Sequence, residues 1–119
     1  MGMETKGKID LSYLRDISAG DEELFHELID MFISQVPEYQ MQLQQELSLG
    51  EWEQLGRTAH KVKSALTMMG LNNLAAEMKV LEEQAKKGEE TKSYPHSIKR
   101  FIKETTEAIK ELKEVKKNY

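Results

Sequence analysis

Cysteine is absent from this chain. That absence excludes disulfides, thiolate zinc sites and thiol nucleophiles together, and it is compatible with a reducing compartment. Long apolar runs are absent too, so no membrane-spanning helix is expected. The start, MGMETKGKID, has no apolar stretch of the signal-peptide kind, so export is not expected and the cytoplasm is the default location. A basic excess is also missing: 17 Lys and Arg against 21 Asp and Glu leave a formal net charge of −4. A surface of that sign does not neutralise phosphates, which argues against a general nucleic-acid binder. With two prolines and no alternating β-branched runs, helical periodicity is the one strong structural signal.

What is present is a globular mixture. The 119 residues are 39% hydrophobic and 32% charged, enough apolar material for one domain with a real core. Residues 1–7 read as a disordered tail or cloning remnant, and residues 8–118 as a single domain. Asp10 is the expected N-cap of a short first helix with Leu11, Leu14 and Ile17 inward, ended by Gly20. Asp21 caps a second helix whose stripe runs from Leu24 and Phe25 to Val36 and on through Tyr39, Leu43 and Leu47 to Gly50. Pro37 removes one backbone donor and is expected to kink or split it. In the third helix Trp52, Leu55, Ala59, Val62, Leu66 and Met69 recur at alternating spacings of 3 and 4, the spacing of a core stripe. A fourth helix uses Leu74, Met78, Leu81 and Ala85 and ends at Gly88; a fifth opens at Pro95 and turns Ile98, Ile102, Thr105, Ile109 and Leu112 inward. The expected fold is all-α, an antiparallel up-and-down four-helix bundle with the short first helix capping one end.

His60 lies about 130° around the third helix from the core stripe and therefore faces water. Lys63, Ser64 and Thr67 follow it at i+3, i+4 and i+7, with Glu53 and Gly56 before it on the same face and Arg57 and Lys61 flanking. Gly56 inside a helix costs about 1 kcal/mol relative to Ala, and a bare patch for a docking protein would explain it. An exposed imidazole is largely neutral near pH 7 and can act as a nucleophile through its free ring nitrogen. Lys63 can supply a cation to phosphoryl oxygens and Ser64 a hydrogen bond, which fits a phosphoryl acceptor. Hydrolysis fits less well, because no carboxylate is obviously placed to activate water. Glu23 and His26 form a single Glu-x-x-His, short of the two pairs a di-iron bundle needs, so no metal site is expected.

The stretch AHKVKSALTMMGL resembles the signature H-x-x-K-[GS]-[SA]-x-x-x-x-G of histidine-containing phosphotransfer (HPt) domains. GDEELFHELIDMFISQVPEYQ is similar to that family's second helix with its proline, GEWEQL to the start of its active helix, and LNNLAAEMKVLEEQAKKG to the helix beside it. The resemblance implies that His60 accepts a phosphoryl group, that Lys63 steadies it and that Ser64 is the small residue alongside. It implies a relay between the aspartates of receiver domains, carried by response regulators and hybrid sensor histidine kinases, without kinase activity or a bound nucleotide. No cofactor is expected on the chain itself; Mg²⁺ is expected on the receiver, and a monomer is expected. Glu53, Gly56, Arg57, Lys61 and Thr67 are the expected partner contacts, with help from Gln40 and Gln44 of the neighbouring helix. Glu51 replaces the usual Asp at the helix start. Glu82 falls where some members have a glutamine near the phosphoryl group; a carboxylate there would repel phosphate, and no role is assigned to it. The alternative from another class is a phosphorylation-independent helical adaptor docking through the same face.

Overall fold

The computed structural model describes residues 9–118, so the expected tail at residues 1–7 lies outside the described residues. Those residues form α1 (Ser12–Ser18), α2 (Glu22–Leu49), α3 (Trp52–Met68), α4 (Asn72–Lys87) and α5 (Tyr94–Lys117), the last entered through a 3-10 turn at Thr91–Ser93. The four long helices build the bundle, with α2 packed between α3 and α5 and α4 alongside α3. The segment before α1 reaches the link between α3 and α4, where the Asp10 amide donates to the Met69 carbonyl at 2.9 Å.

Of these helices α2 has a full side-chain N-cap. Asp21 accepts a hydrogen bond from the Leu24 amide at 3.0 Å, and Glu22 and Glu23 occupy the first turn of α2, where the helix dipole favours them. Asp10 sits one residue before the N-cap of α1, which is Leu11, and its carboxylate accepts from the amide and hydroxyl of Ser12 instead. Glu51 is the N-cap of α3 without a capping side-chain bond. Pro37 does not split α2, which runs unbroken from Glu22 to Leu49. An interior proline costs about 3 kcal/mol, but Phe32, Val36 and Leu43 are buried on either side of it. Each such side chain returns roughly 1.5–3 kcal/mol, so tertiary burial outweighs the one lost backbone bond.

The core follows the expected stripes with few exceptions. Leu55, Ala59, Val62, Leu66 and Met69 of the third-helix stripe are buried, as are Leu74, Met78, Leu81 and Ala85 of α4 and Ile98, Phe101, Thr105 and Leu112 of α5. Ile17 is exposed, and Ser18 takes the inward place while its hydroxyl back-bonds to the Leu14 carbonyl. Tyr94 is buried at the start of α5, edge-on to Trp52 with ring centroids 5.2 Å apart. Gly70 carries φ +75°, and a Cβ on it would lie 2.4 Å from the Asp10 carbonyl oxygen. Only glycine lets the N-terminal segment close over this turn.

Candidate functional site

Small residues set the distance between α3 and α4. Gly56 and Ala59 of α3 and Ala75 and Ala85 of α4 are buried, and a Cβ on Gly56 would meet the Glu82 carbonyl at 3.3 Å and the Ala85 Cβ at 3.5 Å. Gly56 is therefore a helix-contact residue. The expectation that it leaves a bare patch for a partner is corrected: α4 fills that space, and Gly56 is removed from the partner-contact set.

Across this close contact Glu82 of α4 reaches the histidine face. Its Oε2 lies 2.9 Å from His60 Nδ1 and 2.9 Å from Lys86 Nζ, and its Oε1 lies 2.6 Å from Lys63 Nζ. The carboxylate is buried, with 7% of its side chain exposed, while the imidazole remains 64% exposed. Burial alone would raise the Glu82 carboxyl, but the hydrogen bonds from Lys63, Lys86 and His60 more than offset it and hold it at about 2. It is thus ionised and acts only as an acceptor, so His60 Nδ1 carries the proton of that bond. The other ring nitrogen, Nε2, is left with its lone pair on the exposed side of the ring.

Sequence reasoning missed this carboxylate. Glu82 carries no unbalanced charge at the histidine face: its side chain bonds His60 Nδ1, and Lys63 and Lys86 pair with its two oxygens. A usable signal existed in the i,i+4 pair of Glu82 and Lys86 on one face of α4. Lys63 also differs from expectation: it is half-buried, with 24% of its side chain exposed, because it is drawn down to Glu82.

The other expected residues are distributed around this centre. Ser64 and Thr67 are exposed and line, with His60, Lys63, Met68 and Tyr13, a groove of about 550 Å³ between α1, α3 and α4. Lys61 and Ser64 also border a smaller groove of about 160 Å³ toward α2, with Met31 and Tyr39 on its far wall. His60 thus stands on the ridge of α3 that separates two shallow depressions. Glu53 and Arg57 are exposed and pair with each other at 3.2 Å. Gln40 is not available to a partner at this face, since its amide donates to Thr105 Oγ1 of α5 at 2.8 Å; Gln44 is exposed.

The Hpt domain family matches residues 27–115, three quarters of the chain and all of α3 and α4. This chain belongs to the Hpt domain family. Like other Hpt domains it functions in histidine phosphotransfer within phosphorelays and interacts with receiver domains of phosphorelay components. A solved structure is similar over nearly the whole length: histidine-containing phosphotransfer protein B (HptB) from Pseudomonas aeruginosa PAO1 superposes with a TM-score of 0.86 at 27% identity, covering 97% of this chain and 99% of that one. No curated protein gives a significant match. No helix of the Hpt domain is long and apolar enough to cross a membrane among the described residues.

Proposed function

We propose that His60 is the phosphoryl carrier of this Hpt domain, taking the group at Nε2 from the aspartyl phosphate of one receiver domain and giving it to the aspartate of another. The observation that carries this reading is the hydrogen bond between His60 Nδ1 and Glu82, which turns Nε2 outward on an exposed ring. Transfer needs in-line approach and compensation of charge on the equatorial oxygens. Lys63 supplies the cation: it is held through Oε1, so it can swing toward a phosphoryl group without disturbing the His60 bond to Oε2. Ser64, one turn beyond His60, offers little bulk and a hydroxyl. Glu53, Arg57, Lys61 and Thr67 are exposed on the same helix and meet the receiver. Mg²⁺ belongs to the receiver, and the chain itself needs neither nucleotide nor metal. It acts as a cytoplasmic monomer.

Incubation with phosphorylated receiver domains tests this. The expected product is an acid-labile, base-stable phosphoryl group on the wild type that His60→Gln abolishes. A wild type that stays unlabelled with several receivers overturns the reading in favour of a phosphorylation-independent adaptor.

A further inference from the structure

The ridge that carries His60 separates two grooves of unequal character. Toward α2 lies the smaller, about 160 Å³, in which Lys61 is the one charged residue. Toward α1 and α4 lies the larger, about 550 Å³, bordered by His60, Lys63, Met68, Tyr13, Ala76 and Lys79. The chain has 21 Asp and Glu against 17 Lys and Arg, yet among the described residues no carboxylate lines this larger groove. Its two lysines differ. Lys63 is bonded to Glu82 at 2.6 Å, so its charge is already compensated. Lys79, three residues before Glu82 and so its neighbour on the surface of α4, is exposed and has no ion-pair partner among the described residues. Tyr13 stands on the α1 side. The buried Leu14 fixes that helix in the bundle, and the tie from the Asp10 amide to the Met69 carbonyl anchors the chain just before it. Tyr13, next to Leu14 in sequence, is left 52% exposed. A tyrosine presented on a fixed helix is the kind of side chain that anchors interfaces, and an unpaired lysine at the rim is the kind that sorts partners.

We infer, resting on the reading of His60 as carrier, that Lys79 is a specificity-determining residue: the receiver seats in the groove between α1, α3 and α4, with Tyr13 as the aromatic anchor and Lys79 paired to a receiver carboxylate. The chemistry of that partner fits the groove. Holding Mg²⁺ beside a phosphorylatable aspartate takes oxygen ligands, carboxylates among them, so the approaching surface is acidic. A chain of net charge −4 repels such a surface in general; the larger groove, whose charged residues are lysines beside a histidine, does not. The α2 side offers less room and no comparable aromatic on α1. A rim charge acts on encounter and on choice of partner more than on the chemical step. Lys79 therefore sorts receivers by the acidity of the position that faces it, while His60 treats every seated aspartyl phosphate alike.

The test uses the full chain and a panel of purified receiver domains with Mg²⁺. In amide NMR titrations with the receivers, Tyr13, Ala76 and Lys79 are expected to shift while Met31, Gln35 and Tyr39, on the α2 side, stay near their free positions. In transfer from the phosphorylated receivers, Lys79→Glu is expected to raise KM on the order of 10-fold, to leave kcat little changed and to weaken the dependence of KM on salt. Lys87→Glu makes the same charge change two turns further along α4, at an exposed residue that lines neither groove. It is expected to hold KM within about 2-fold of wild type. Shifts confined to the α2 side overturn the proposal, as do equal effects of the two charge reversals. Receivers that label wild type and Lys79→Glu with the same KM defeat the role of Lys79 and leave His60 as carrier. Receivers that bind in this groove without labelling His60 defeat the carrier reading and leave the docking assignment standing. A panel that neither binds nor labels overturns both.

Discussion

A Cβ placed on Gly56 would sit 3.3 Å from the carbonyl oxygen of Glu82, so the missing side chain on α3 is what brings the Glu82 carboxylate within 2.9 Å of His60 one turn later. A larger residue at position 56 pushes the helices apart at this point. Gly56→Leu is expected to destabilise by about 1–3 kcal/mol through overpacking. The same change lengthens the His60–Glu82 bond. Thermal unfolding together with the phosphotransfer rate checks this; an unchanged midpoint would mean that α4 yields easily here.

Gly70→Ala tests the turn between α3 and α4. The new Cβ meets the Asp10 backbone at 2.4 Å in a conformation with φ +75°, a combination expected to cost on the order of 2 kcal/mol or more. Chemical denaturation should report a lower midpoint with an unchanged slope.

Lys63→Ala is expected to slow transfer and also to lower stability by roughly 1 kcal/mol. An exposed lysine would leave the unfolding midpoint unmoved, but this one is bonded to a buried carboxylate. Lys63→Arg should recover stability better than activity, because a longer planar cation can keep the ion pair while meeting the phosphoryl oxygens differently.

Acid should act on the fold through Glu82. Its carboxyl is lowered from 4.5 to about 2 in the folded protein, so its contribution to stability is fully present above pH 4.5 and is lost as pH falls through that window toward 2. The expected result is a wild-type melting temperature that drops from pH 5 to pH 2 more steeply than that of Glu82→Gln. Parallel curves would contradict the assignment of the network to the folded state.

Glu46 acts in the opposite sense. Burial pushes its carboxyl above 4.5, the bond from the Thr58 hydroxyl offsets part of this, and Oε1 has no hydrogen-bond partner. Its stabilising contribution is present below 4.5 and fades as pH rises through the raised value. Glu46→Gln is therefore expected to raise the melting temperature by about a few degrees at pH 7 and by less at pH 4. No change at either pH would show that the carboxylate is better solvated than its burial indicates.

The helices, their core stripes, the outward histidine and the match to Hpt domains were all legible in the residue order. Each rests on a period of 3.6 residues within one helix or on the local motif from His60 to Gly70. Tertiary structure decided how that face works. His60 and Glu82 stand 22 positions apart, and their meeting depends on how closely and in what register α3 and α4 pack, which periodicity along either helix does not encode. The same packing turned Gly56 from an open surface into a contact, drew Lys63 inward and carried α2 unbroken past Pro37. Sequence determined which faces of the helices are wet or dry, because that is a property of one helix; the bundle decided which side chains share a proton, because that requires two.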